Sequence, residues 1–361
     1  MSNVHQGIAA LNPYQPGKPI DELTRELGIS DIVKLASNEN PRGPGPGVLE
    51  AIERECRGLS RYPDGGGFDL RQALVNHLDV APQQITLGNG SNDVLDLIAR
   101  VAVEPGTEVI MSEHCFVVYR LSTICAGGTI IEVPAVDFGT SLEGFLQAVT
   151  ERTRLVCIAN PNNPTGTWVG AAELTDFLDE LPSHIWVVLD EAYFEFGEDP
   201  DYPDGITLLD RHPNLIVTRT FSKVHGLAAV RAGYGVSHPD FADLLNRARQ
   251  PFNMNSLAIA AATAALADAE FVQTSLDINR AGMQQVGDGL AAQGISFIPS
   301  MGNFLTFDCG RPAGEVYEAL LHKGVIVRPV VEYGLPTHLR VSIGLHEENA
   351  RFLTALAEVS G

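Results

Sequence analysis

In RTFSKVHGLAAVRAGY (219–234), Lys223 follows the hydroxyl of Ser222 and precedes a mostly small, apolar stretch that ends at Arg231. An amine in apolar surroundings titrates below its ordinary range, as it must to attack a carbonyl near neutral pH. Surface loops are the commoner home of a lysine, yet AAVRAG offers little polarity to turn toward water. Three other stretches carry side chains able to do chemistry. GNGSND (88–93) sets two glycines before a helix start, so the amides of Gly90, Ser91 and Asn92 form a candidate anion cradle. NPNNPTG (160–166) fixes a turn with two prolines and lets the Asn163 amide point away from the backbone. IWVVLDEAY (185–193) ends an apolar run on Asp190, with Tyr193 beyond it. An acid there is costly to bury without a cationic partner.

Each stretch also has a plain structural reading: a strand-to-helix turn capped by Ser91 or Asn92, an asparagine-proline turn, and an aspartate capping the next helix. In open α/β sheets, however, ligands bind beyond the carboxyl ends of the strands, where all of these residues fall. Together they supply an anion cradle (Gly90, Ser91 and Asn92, with Ser222 and Arg231), a carboxylate, a phenol with an amide, and a nucleophilic lysine. Those are the needs of pyridoxal 5'-phosphate. The cradle suits its phosphate, Asp190 the ring nitrogen, Tyr193 and Asn163 the phenolic oxygen, and Lys223 the aldehyde carbon.

Such residues need a frame. Runs at 85–87, 107–112, 129–134, 154–160, 185–191, 214–220 and 233–237 alternate with amphipathic stretches such as 92–103, 171–181 and 241–249. The pattern predicts an α/β fold with a mainly parallel, seven-stranded sheet covered by helices. After residue 250 come long helices (254–293), FLTFDCG (304–310), a helix near 313–323, VIVRPV (325–330), LRVSIGL (339–345) and a last helix (346–358). The expected division is an N-terminal arm and start of a small domain over 1–45, a large cofactor-binding α/β domain over 46–250, and connecting helices with a smaller α+β domain over 251–361.

Of the 361 residues, 45 are acidic and 24 basic, a formal charge of −21 that argues against nucleic acid as a partner. LAIAAATAALADA (257–269) falls short of the ~20 residues a bilayer needs and reads as a buried helix, so no membrane partner is expected. The five cysteines are odd in number and lack a CxxC pair, which suggests core thiols in a reducing cytoplasm. No basic segment followed by an apolar run opens the chain, and the histidines form no HExxH pattern; neither a signal peptide nor a catalytic metal is expected.

The sequence resembles the fold-type I pyridoxal phosphate aminotransferases and, within them, the histidinol-phosphate aminotransferases. The matching stretches are PYQPGKP (13–19), KLASNENPRGPGP (34–46), RYPDGGG (61–67), GNGSND, NPNNPTG, LDEAY (189–193), RTFSKVHGLAAVRAGY, RQPFNMN (249–255) and LRVSIGL. They span nearly the whole chain in family order. The resemblance implies transfer of an amino group between L-histidinol phosphate and 2-oxoglutarate in histidine biosynthesis, with Lys223 holding the cofactor as a Schiff base and Asp190 and Tyr193 assisting. It implies that Phe116 stacks on the cofactor ring. Tyr62 would reach the cofactor phosphate of a neighbouring subunit in a homodimer with shared sites, and Arg340 would grip the substrate anion, with Tyr14, Asn38 and Arg328 nearby. Core packing for Phe116 and a surface ion pair for Arg328 stay open at this point. Val224, His225 and Arg42 depart from the family pattern and leave substrate preference open; His225 is a possible titrating neighbour of Lys223 or a packed side chain. The alternatives are an aromatic amino acid aminotransferase, a lyase of the same fold, and a binding protein that keeps only the fold.

Overall fold

The computed structural model describes residues 5–11, 13 and 17–360. Strand β1 (Val33–Lys34) lies near the start. Seven further strands, β2 (Ile85–Gly88), β3 (Glu108–Ser112), β4 (Thr129–Val133), β5 (Thr153–Ala159), β6 (Trp186–Asp190), β7 (Leu215–Thr220) and β8 (Gly233–Ser237), form one sheet in the order β2-β8-β7-β6-β5-β3-β4. Only β8 runs against its neighbours; the other pairings are parallel. Each expected apolar run supplies one of these strands.

The central strands are largely apolar because both faces are covered, whereas the edge strand β4 leaves Thr129 and Glu132 exposed. In β5, Val156 and Ile158 point into one core, and Leu155, Cys157 and Ala159 into the other. This is the two-residue period of a strand read across two layers. The first core takes side chains from helices Pro46–Glu55, Phe68–Leu78, Ala171–Glu180 and Ser256–Leu266. The second takes them from Ser91–Ala102 and Pro239–Ala248, and from Tyr119 of Val117–Ala126.

Helix Ser256–Leu266 is buried as expected, but the sequence grouped it with the C-terminal part. Instead Ala258, Ala261, Ala262 and Ala265 join the core of the large sheet beside Val48, Leu70 and Leu74. Small side chains let helices approach closely, and periodicity does not say which neighbour they approach.

The C-terminal part is a four-stranded antiparallel sheet of β9 (Phe297–Ile298), β10 (Phe304–Asp308), β12 (Arg328–Pro329) and β13 (His338–Ser342), in the order β12-β13-β10-β9. Its core is closed by helices Ala269–Ala292, Ala313–His322 and His346–Ser360. Strand β11 (Val325–Ile326) pairs in parallel with β1, and Ser342 N–H donates to Leu35 O at 2.8 Å. The segment after β1 is thereby carried on this second sheet.

The cysteines correct one expectation. Cys115 and Cys157 are buried and Cys309 is half-buried, but Cys56 and Cys125 are exposed. Both exposed thiols sit at helix ends, where the pattern of neighbouring residues gives little sign of depth. Among the described residues no single helix is long and apolar enough to cross a membrane.

Candidate active site

Parallel pairing brings the carboxyl ends of β5, β6 and β7 together, with Ala159 opposite Asp190 and Asp190 opposite Thr218. A cavity opens there beneath β12 and β13. Ser91, Asn92, Phe116, Asn163, Asp190, Tyr193, Ser222, Lys223 and Arg231 all line it, as do Asn38, Arg328 and Arg340.

At one end helix Ser91–Ala102 begins after Gly90, whose φ of +82° suits glycine. A Cβ built on Gly90 would stand 2.4 Å from Nη2 of Arg231, so a side chain there would displace the guanidinium from this position. Arg231 itself sits at a φ of +61°. Its Nη1 donates to Ala228 O at 3.1 Å and to Ser222 Oγ at 3.3 Å, while Thr220 Oγ1 donates to Ser222 Oγ at 3.0 Å. A cation is thus fixed against a helix N-terminus, a combination that binds anions.

Deeper in, Asp190 is only 3% exposed. Tyr119 Oη donates to its Oδ2 at 2.7 Å and Thr218 Oγ1 to its Oδ1 at 2.8 Å. Burial raises the carboxyl above its ordinary range, and the two hydroxyls and the charge of Lys223 oppose that rise. Asp190 therefore does not cap a helix; it faces the cavity. Half-buried Lys223 lines the same cavity, its Nζ 5.4 Å from the centre of the Tyr193 ring.

Tyr193 Oη accepts from Asn38 Nδ2 at 2.8 Å, and its ring meets Phe304 edge-on at 5.3 Å. Asn38, at a φ of +53°, is held on several sides. Its N–H donates to Ser342 Oγ at 2.7 Å, that hydroxyl donates to Asn38 Oδ1 at 2.9 Å, and Asn303 Nδ2 donates to Asn38 O at 3.0 Å. Arg340 and Arg328 stand opposite each other on β13 and β12. Arg340 donates to Asn163 Oδ1 and, at 2.9 Å, to Ala36 O, while Arg328 pairs with Glu332.

Other singled-out residues fall elsewhere. Tyr62 is 83% exposed outside the cavity, stacked on Phe252 at 4.7 Å. Tyr14 lies outside the described residues. His225 is packed: its Nε2 is 3.5 Å from Glu195 Oε1 and its ring lies against Phe221. Buried Val224 packs with Tyr193, Phe196 and Phe304. Arg42 lies over Phe271 and donates to its carbonyl at 2.9 Å. Sequence reasoning passed over Tyr119, Thr218 and Ser342. The one local hint was that Tyr119 follows Phe116 by a helical turn.

Comparison with known proteins gives this geometry a family. Residues 30–356 match the aminotransferase class I and II family. The chain belongs to this family. Among curated aminotransferases, histidinol-phosphate aminotransferase 2 of Pseudomonas aeruginosa is 56% identical over 98% of this chain and 96% of its own length. The protein of the same name from Pasteurella multocida is 51% identical over 99% and 98%. The crystal structure of histidinol-phosphate aminotransferase from Sinorhizobium meliloti in complex with pyridoxal-5'-phosphate superposes with a TM-score of 0.91 at 34% identity, covering 100% of this chain and 98% of that one. Thermus thermophilus aspartate aminotransferase with maleate, at 22% identity and a TM-score of 0.86 over 99% and 100% of the two chains, shares the aminotransferase fold.

Proposed function

We propose that this aminotransferase uses pyridoxal 5'-phosphate to move the amino group of L-histidinol phosphate to 2-oxoglutarate. The lining suits that cofactor. Gly90 leaves room for Arg231 at a helix N-terminus, where a phosphate is best held, and a buried carboxylate with two hydroxyl donors waits for a ring cation. When bound, the cofactor supplies a reactive carbonyl and a ring that accepts electrons.

The chain's own groups do the rest. Lys223 would anchor the cofactor through its ε-amine and would move the proton at the amine-bearing carbon of the substrate. Asp190 would keep a proton on the ring nitrogen, Tyr193 and Asn163 would hold the phenolic oxygen, and Phe116 would pack on the ring. Ser91, Asn92, Ser222 and Arg231 hold the phosphate.

The observation that carries the choice of substrate is the pair of buried arginines, Arg328 and Arg340, facing each other across β12 and β13 at the cavity. Histidinol phosphate presents a phosphate ester and 2-oxoglutarate presents carboxylates, and a guanidinium grips either with paired hydrogen bonds. The family resemblance adds Tyr14 and Asn38 to the residues assigned to substrate binding. The names carried by relatives at 51–56% identity agree with this choice.

Under this reading the enzyme serves histidine biosynthesis in the cytoplasm as a homodimer. Leu49, Leu59, Tyr62, Phe68 and Phe252 are exposed. A second copy packed over Tyr62 and Phe252, which stack at 4.7 Å, would bring each Tyr62 to its neighbour's cofactor phosphate. We keep the division into an arm with the start of a small domain (1–45), a large domain (46–250) and a C-terminal part (251–361) as part of the proposal, with helix Ser256–Leu266 as the join.

Initial rates with histidinol phosphate, phenylalanine and tyrosine as donors, read as glutamate formed from 2-oxoglutarate, test the reading. Histidinol phosphate is expected to give the highest kcat/KM, by at least about tenfold. Faster turnover of the aromatic amino acids, or carbon dioxide release without 2-oxoglutarate, contradicts it.

A further inference from the structure

Tyr119 touches two residues that would hold the cofactor ring from different sides. Its hydroxyl donates to Asp190 Oδ2 at 2.7 Å. Its ring meets Phe116 edge-to-face, with 5.9 Å between centroids and 84° between planes. One helix explains both contacts: Phe116 is the residue before Val117–Ala126, and Tyr119 stands three positions later on the same face. The phenol is 3% exposed, within the core that includes Val109, Met111 and Val188.

A buried phenol usually finds a hydrogen-bond partner. Here the partner is a carboxylate that burial pushes toward its neutral form. Burial holds the phenol itself well above its ordinary titration range, so it remains a donor while the protein is folded. Thr218 reaches the other carboxylate oxygen at 2.8 Å. The remaining titratable groups around the pair are Lys223, Cys115 and Cys157, and burial keeps both thiols neutral.

We infer that Tyr119 is a positioning residue: its hydroxyl keeps the Asp190 carboxylate ionised and turned toward the ring nitrogen of the cofactor, while its ring braces Phe116. The inference rests on the cofactor reading above. A tyrosine that only fills space would pass its role to phenylalanine intact, because Tyr119→Phe keeps the ring and the Phe116 contact and removes only the hydroxyl.

The test loads wild type and Tyr119→Phe with pyridoxal phosphate labelled with nitrogen-15 in the ring, and follows the ring-nitrogen signal against pH together with cofactor retention. The variant is expected to lose the ring proton at lower pH than wild type and to hold the cofactor at least about tenfold more weakly, as loss of a hydrogen bond to a charged group implies. A wild-type titration and wild-type retention in Tyr119→Phe overturn the inference. Incorporating 3-fluorotyrosine at position 119 keeps the hydroxyl and strengthens it as a donor, so the signal should move the opposite way; no movement there also overturns it. A wild-type protein that gains no visible absorbance from the cofactor overturns the cofactor reading itself, and this inference with it.

Discussion

The side-chain amide of Asn38 donates to the phenol oxygen of Tyr193 at 2.8 Å, joining the segment after β1 to the end of β6 across 155 positions of sequence. Since Ser342 and Asn303 fix Asn38 from the second sheet, a phenol carried at the end of the first sheet is aimed by groups of the second. Asn38→Ala removes that aim without touching Lys223 or Asp190. Steady-state kinetics should show kcat/KM lowered about tenfold, the equivalent of one hydrogen bond in a buried site. An unchanged kcat/KM would mean that Tyr193 is held well enough by its packing on Phe304.

Arg340 tests the recognition of anions. Lysine keeps the charge but loses the planar fork and the bonds to Asn163 and Ala36. In Arg340→Lys the KM for histidinol phosphate and that for 2-oxoglutarate should both rise, by roughly 10- to 100-fold. Retention of the cofactor should stay near wild type, because its phosphate cradle lies at Arg231. A rise confined to one substrate would show that the two anions are gripped by different residues.

Asp190 links the site to stability. Its folded-state pKa is raised by burial, so its contribution to folding is full below the ordinary carboxylate range and is lost as pH rises through the raised value. Asp190→Asn is neutral at every pH and escapes that loss. Thermal unfolding of the cofactor-free protein should therefore show the variant gaining roughly 1–3 °C in Tm at neutral pH, with the gain vanishing on acidification. Turnover should fall at the same time. A variant less stable than wild type at neutral pH contradicts the burial argument.

On the opposite face of the same strand ends, Glu191 is fully buried and Arg219 is 4% exposed. Arg219 Nε donates to Glu191 Oε2 at 2.8 Å and its Nη2 to Asp204 Oδ1 at 2.6 Å, and the guanidinium lies 3.4 Å above the Phe194 ring. Arg219→Met leaves Glu191 without its cation and should lower unfolding stability in urea by about 3–5 kcal/mol. Adding Glu191→Leu should restore more than half of the loss. Failure of the second change to restore anything would assign the loss to the contacts with Phe194 and Asp204.

These cases show what was legible in the sequence. Runs rich in β-branched residues mark all seven strands of the large sheet, and the central ones are nearly continuous in apolar residues because both of their faces are covered. Lys223, Asp190, Tyr193 and Asn163 stand just beyond such runs, which is why local chemistry drew attention to them. Pairings across long separations left no such trace. Nothing near Tyr119 announces Asp190, 71 residues away, and alternation in LIVTRT sends Thr218 and Arg219 to opposite faces without saying which face holds the cavity until the neighbours of β7 are known. The antiparallel β8 between β2 and β7 was hidden for the same reason: alternation gives a strand its faces, not its partners. The alanines of Ser256–Leu266 fit several neighbours, and only the fold selects helices Pro46–Glu55 and Phe68–Leu78.

The central claim is that one ε-amino group carries the cofactor. Borohydride reduction of the protein loaded with pyridoxal phosphate, followed by peptide mass spectrometry, reads that attachment directly. The account predicts a single modified peptide bearing the cofactor on Lys223, and no covalent cofactor, with turnover abolished, in Lys223→Ala. Attachment at another lysine, or a Lys223→Ala protein that still transaminates at the wild-type rate, would contradict it.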